Sequence, residues 1–243
     1  MLDTPDSKVN LRGLDLKEVP YQYRITVSIG PEDIERDTPE IDILDFGSDD
    51  LNGGRIREIG KELNAVPVNW MGDLKDFKRL GQKHGKHLSY VISAVDSSNK
   101  VSENYSPCLG VVVIGSVSYA PSSNVSLLLH SMPMDMSLDS FKTDLTGCLA
   151  ELKLKSLQGT VDAIIFGGNN KDDGYKRAIR NVVEVVQGTL GIHVRVFEPA
   201  WAGATDVAVD TEHRRVHMMR ATRQVFTERI ERPGNDMMEG NIS

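Results

Sequence analysis

Two side chains in this sequence can do nucleophilic chemistry together, Cys108 and His130. Cys108 opens the apolar run Cys-Leu-Gly-Val-Val-Val-Ile, and His130 closes the run Val-Ser-Leu-Leu-Leu-His. A polar stretch from Pro121 to Asn124 lies between the runs and suits a turn. Pairing of the two runs as a hairpin about that turn brings Cys108 and His130 together at the end far from it. A thiol beside an imidazole is the minimum for a thiolate nucleophile with a paired acid/base. A free thiol, with a pKa near ~8.5, is mostly protonated at neutral pH, so a neighbouring imidazolium is expected to favour the thiolate. The same imidazole can protonate a leaving amine and then activate water. Taken alone, a Cys at the start of an apolar strand reads as a small buried residue, and a lone His as a satisfied core histidine. Their pairing is what raises the chemical reading.

Other candidates fit structure better than chemistry. Cys148 falls on the apolar stripe of a helix and reads as core. Gly167-Gly168-Asn169 lacks the lysine and hydroxyl that follow in a phosphate-binding loop, so a tight turn after a buried strand fits it better. His84 and His87 have no carboxylate or Cys to complete a metal set, and no metal or other cofactor is expected. His213 and His217 alternate on a predicted hairpin and are expected to face solvent. Trp70 and Trp201 read as core, with exposed anchors for a partner as the alternative.

The elements that must position these residues are legible in outline. Tyr21 to Ile29 alternates apolar and polar residues, as a half-buried strand does, and Gly30-Pro31 ends it. The acidic stretch 31–54 reads as loop with short pieces. Ile56, Ile59 and Leu63 have helix spacing, and Asp73 to Gly85 reads as a short helix, basic on one side. Leu88 to Val95 reads as a strand and 96–106 as a Ser/Asn-rich loop. After the Cys–His hairpin, Ser137 to Leu157 is the clearest helix. Ser137 stands at its cap, and Leu138, Phe141, Leu145, Cys148, Leu149, Leu152 and Leu154 form its stripe. Val161 to Phe166 reads as a central strand, Tyr175 to Leu190 as a second amphipathic helix and Ile192 to Phe197 as a strand. Asp206 to Val209 and Val216 to Met219 read as a closing hairpin, with a charged helix from Thr222 to Arg232 in the tail. The order predicts an α+β (mixed α/β) fold, a β-sheet core with two main helices packed on it. Residues 1–87 read as an N-terminal extension that opens with a loose arm over 1–20, 88–220 as the catalytic unit, and 221–243 as a charged tail.

Composition narrows the partners. Of 243 residues, 40% are hydrophobic, enough for a core, and the net charge is −7. An acidic balance argues against nucleic acid or an anionic membrane as the main partner. No apolar run approaches the ~18 residues of a membrane span. The polar, acidic N-terminus is not a secretory signal, and both thiols read as reduced, which points to a cytoplasm.

Four stretches, in order, resemble the chemotaxis glutamine deamidase family CheD, whose fold is shared by the catalytic domain of cytotoxic necrotizing factor. They are Ser-Pro-Cys-Leu-Gly-Val-Val-Val at 106–113, Leu-Leu-His-Ser-Met-Pro at 128–133 and Ala-Ile-Ile-Phe-Gly-Gly-Asn at 163–169. The fourth is Ile-Arg-Asn-Val at 179–182 followed by Leu-Gly-Ile-His-Val at 190–194. The resemblance covers 88–220. It implies that Cys108 is the nucleophile, His130 the base, and a hydroxyl six places before the Cys the third member. Here that hydroxyl is Ser102, which could accept the second imidazole N–H and fix its tautomer.

The activity implied is deamidation of a glutamine on a protein substrate, by a cytoplasmic protein or by a secreted effector or toxin acting in a host cytoplasm. The residues alone leave asparagine open as well. An oxyanion would rest on backbone N–H groups at the start of the Cys108 strand. Pro107 supplies none, so the donor must be Cys108 itself or another loop. The rival readings are a binding module that keeps the fold without turnover, and a Cys–His peptidase or acyltransferase.

Overall fold

The computed structural model describes residues 21–28, 40–44, 54–69, 72–105, 108–118, 123–132, 139–167, 173–197 and 205–222. The arm over 1–20, Trp70, Pro107, Gly168-Asn169, Trp201 and the tail helix expected beyond 222 lie outside the described residues.

The protein is α+β, with two six-stranded sheets and four helices among the described residues. The first sheet holds β1 (Tyr21–Ser28), β2 (Glu40–Leu44), β3 (Val66–Pro67), β6 (Lys100–Ser102), β11 (Thr205–Asp210) and β12 (Arg215–Thr222), in the order β2-β1-β12-β11-β6-β3. The second holds β4 (Lys83–His84), β5 (Tyr90–Ile92), β7 (Leu109–Ser116), β8 (Asn124–Ser131), β9 (Asp162–Gly167) and β10 (Arg195–Phe197), in the order β10-β9-β7-β8-β5-β4. Among the described residues, β10 on β9 and β3 on β6 pair in parallel and the other ladders are antiparallel. The sequence sets 1–87 apart as an extension, yet β1 to β4 all come from this stretch and are strands of the same two sheets.

Burial explains the strand sequences. In β7, Leu109, Val111 and Val113 face helices α3 (Asp139–Lys155) and α4 (Asp173–Leu190), while Val112 and Ile114 face the first sheet. A strand covered on both sides reads as a continuous apolar run rather than an alternation. The inner layer joins Val112, Ile114, Leu128, Ile164 and Phe166 to Val207, Val209, Val216 and Met218 of the first sheet. The outer face of that sheet is covered by helix α1 (Gly54–Glu62), through Ile56 against Ala208 and Met219. Four layers result: α1, first sheet, second sheet, then α3 with α4. Helix α2 (Leu74–Arg79) is short, with the Asp73 carboxylate at its cap accepting from the Lys75 N–H at 2.8 Å.

Several expectations change. The helix expected over Asp73 to Gly85 ends at Arg79, and Lys83–His84 pairs as the strand β4. Residues 96–106 are not loop throughout, because β6 runs through them between β11 and β3. Two of its three side chains, Lys100 and Ser102, are polar and buried, satisfied by hydrogen bonds rather than apolar packing, so no hydrophobic period announces the strand. Leu154, placed on the stripe of α3, is 88% exposed. The helix ends at Lys155, and only Phe141, Leu145, Cys148, Leu149 and Leu152 hold its buried face. The acidic stretch 31–54, read as loop with short pieces, holds one such piece at Glu40–Leu44, the edge strand β2.

Candidate functional site

The strand register brings Cys108 and His130 to one end of the second sheet, on one face. Gly110 of β7 is the cross-strand partner of His130 of β8. Cys108 precedes Gly110 by two residues, so the alternation of an extended chain puts it on the same side. That side faces the first sheet, where Cys108 is packed with Tyr105, Phe166, Leu128 and Val68.

Ser102 reaches the imidazole from the opposite sheet. Its Oγ lies 2.9 Å from His130 Nδ1. Its own hydroxyl proton is donated to the Val68 carbonyl just after β3. A hydroxyl has one proton to give, so the Nδ1–H must be the donor in the Ser102–His130 bond. The lone pair then resides on Nε2. The network thus selects the tautomer, which leaves Nε2 as the basic nitrogen.

Tyr105 completes the enclosure. Its ring stacks on the imidazole with centroids 3.9 Å apart and planes at 18°. The ring edge of Phe166 meets it in turn at 4.9 Å. The Tyr105 hydroxyl donates to the Leu129 carbonyl at 3.3 Å, and burial pushes its pKa far above the usual phenol range. Gly110 makes room for this stack: a Cβ there would stand 2.2 Å from Phe166 Cζ and 2.7 Å from Tyr105 Cε1. Gly167, with φ of +88°, lies so close that a Cβ would stand 2.6 Å from the Cys108 carbonyl oxygen. Gly167, the end of β9, therefore borders Cys108.

The crossover from β6 to β7 carries Tyr105 and Cys108 from one sheet to the other. Asn104 within it adopts φ of +63°, in the left-handed region that Asn tolerates. Its N–H donates to Asp206 Oδ1 at 2.8 Å, and burial raises the Asp206 pKa. Glu103 on the same crossover holds Arg57 of α1 through two bonds of 2.8 and 2.7 Å.

Burial governs the electrostatics. Cys108 is 2% exposed and His130 fully buried. Desolvation penalises both charged forms: it pushes the thiol up to about 11 and holds the imidazole down to about 3. The sequence leads one to expect a thiolate favoured by an imidazolium. The closed site instead holds a neutral thiol and a neutral imidazole, because separating a proton between them would place two charges in an apolar layer.

A pH prediction follows from His130. Its folded pKa lies below the unfolded value of 6.5. Stability is therefore fully present above pH 6.5 and is lost as pH falls toward 3, while the unfolded chain takes up the proton that the fold refuses. The loss expected by pH 4 is about 3 kcal/mol. Urea unfolding of wild type and His130→Gln between pH 7 and 4 checks this: the difference in slope is the His130 contribution. Parallel curves would show that His130 titrates normally.

The remaining candidates separate cleanly. Cys148 is buried on α3 among Leu145, Leu149 and Leu152, apart from the site. His213 is exposed and paired with Asp210 through Nδ1 at 2.9 Å, and His217 is half-buried on β12. Among the described residues, no group of three or more His, Cys, Asp or Glu could hold a metal ion, and no helix is long and apolar enough to cross a membrane. Sequence reasoning assigned no role to Tyr105, Gly110, Phe166 or Asp206. Tyr105 and Gly110 stand within three residues of Cys108, but their roles depend on which ring fills the space over a glycine. No protein-family model matches the chain, and no curated protein sequence matches it.

Proposed function

We propose that Cys108, His130 and Ser102 form the catalytic set of a thiol amidohydrolase that deamidates glutamine side chains of a protein substrate. The observation that carries this reading is the Ser102–His130 bond, with the serine proton committed to the Val68 carbonyl. It is the arrangement an imidazole base needs: Nδ1 held, Nε2 basic. The similarity of the four motifs to the CheD family points the same way.

The pair is neutral, so the proton moves during attack rather than before it. His130 Nε2 takes the Cys108 thiol proton as sulfur forms its bond to the carboxamide carbon. The oxyanion donor is the Cys108 N–H or an N–H of another loop, since Pro107 has none. The imidazolium then protonates the nitrogen as the C–N bond breaks, releasing ammonia and leaving a thioester. Water, deprotonated by His130, splits the thioester to a carboxylate and the free thiol. Both cysteines are free, which fits work in a reducing cytoplasm, the protein's own or a host's. The net charge of −7 argues against nucleic acid as substrate.

The burial of Cys108 favours a second reading, a protein-binding module that keeps the fold without turnover. Iodoacetamide alkylation separates the two, because the molecule carries its own reference. Cys148 is also buried, at 7% exposure, and burial likewise pushes its thiol up to about 11. Burial and acidity alone predict equal or slower reaction at Cys108. The catalytic reading predicts that Cys108 is alkylated at least about tenfold faster than Cys148, with His130→Ala removing the excess. Cys108 reacting no faster than Cys148 would favour the binding module.

A further inference from the structure

Residues 73–87 depart locally from the acidic balance of this chain. Lys75, Lys78, Arg79, Lys83 and Lys86 stand against Asp73 and Asp76, a local charge of +3 in a chain of −7. All five cations are exposed.

Their position is specific. Helix α2 buries a single side chain, Phe77, which enters the inter-sheet layer that also holds Val68, Tyr105 and Cys108. Gln82 ties the following turn to the Pro67 carbonyl through Nε2 at 2.8 Å, one residue before the carbonyl that holds Ser102. β4 pairs with β5, and Val91 of β5 is the cross-strand partner of His130. Leu88 packs on the same layer as Cys108, and so does Met132, whose N–H donates to the Ser89 carbonyl at 2.9 Å. The basic segment therefore rims the end of the sandwich at which Cys108, His130 and Ser102 meet. A lysine on an edge strand blocks unwanted pairing, which accounts for Lys83 on β4. It does not account for the cations on α2 and on the turn after β4.

We propose that the 73–87 segment is the docking surface for an acidic stretch of the protein substrate, placed to hold a nearby glutamine at Cys108. This deepens the deamidase reading and rests on it for the identity of the docked chain. Charge complementarity between exposed groups acts mainly on encounter and orientation and is screened by salt. The docked partner must therefore bind more weakly as ionic strength rises.

The test reads binding without turnover, in full-length Cys108→Ala protein. The probe is a fluorescein-labelled oligoglutamate peptide with one central glutamine, followed by anisotropy at low salt. Binding is expected, with steep weakening on added salt. Affinity should fall at least about tenfold in the triple variant Lys75→Glu/Lys78→Glu/Lys86→Glu and hold in the control Lys61→Glu/Lys142→Glu, whose cations lie on α1 and α3. Thermal unfolding verifies that both variants fold. The proposal is overturned if the triple variant binds as wild type does, or if an oligolysine peptide binds equally well. Displacement of the peptide by single-stranded DNA at lower concentration would also overturn it, and would mark a nucleic-acid surface. Docking retained without any deamidation by wild type would keep the surface and remove the reaction.

Discussion

Gly110→Ala is expected to destabilise the protein by about 3 kcal/mol, the upper range for overpacking a well-filled core. The added carbon would stand 2.2 and 2.4 Å from Phe166 Cζ and Cε2 and 2.7 Å from Tyr105 Cε1. Real Cβ atoms do not approach so closely, so one ring or the strand must shift. Neither ring has an easy retreat: Phe166 is fully buried and Tyr105 is 1% exposed, pinned between Phe166 and the imidazole. The backbone gives no relief, because Gly110 is paired on both sides, with His130 of β8 and Phe166 of β9. The same substitution should have the opposite sign elsewhere. At Gly147 in α3 and Gly188 in α4 an added Cβ meets nothing within 4 Å, and replacing a helical glycine by alanine stabilises by roughly 0.5–1 kcal/mol. Urea unfolding midpoints of the three variants decide the matter. A Gly110→Ala midpoint equal to wild type would mean that the Tyr105 ring does not occupy the space beside Gly110.

The hairpin and the two long helices were legible because their signals are local and apolar. β7 and β8 hold the apolar runs Val111–Ile114 and Leu127–Leu129, and α3 and α4 carry stripes at helical spacing. The placement of Cys108 and His130 at one end and on one face of the second sheet followed from the hairpin register alone. Ser102 could be named through the family resemblance, but its placement could not. It sits in a three-residue strand whose neighbours in space, β11 and β3, lie far away in sequence on opposite sides. Nor did the sequence disclose two sheets. Residues of β1 and β3 look like parts of an extension until β12 and β6 are seen to pair with them.

The other end of the inter-sheet layer held a comparable surprise in Lys100, 1% exposed. Its ammonium donates to Ser126 Oγ and the Ser98 carbonyl at 2.8 Å and to Asp96 Oδ1 at 3.1 Å. Burial lowers its pKa while Asp96 opposes the change. A lysine in a Ser/Asn-rich stretch reads as solvated surface. Only the meeting of β6 with β8 makes it an internal tie between the sheets. The electrostatic state of Cys108 and His130 was hidden for a related reason. Adjacency in the expected hairpin suggests an ion pair, whereas desolvation depends on how completely the opposite sheet covers the two side chains.

The largest effect expected of any variant is on turnover. In the proposed mechanism, Cys108→Ala removes the only atom that can form the thioester, so deamidation should fall by at least about a thousandfold, to the background. Exchange of sulfur for hydrogen at a buried position leaves a small cavity, a cost of roughly 1–2 kcal/mol, which the fold should survive. The direct measurement follows ammonia release together with a +1 Da change at glutamine in an acidic glutamine-bearing protein. Wild type and Cys108→Ala are compared at a temperature at which thermal unfolding shows both to be folded. Ammonia and modified glutamine from wild type, absent with Cys108→Ala, is the predicted result. Equal amounts from both proteins would contradict a Cys108 thiol acting through His130.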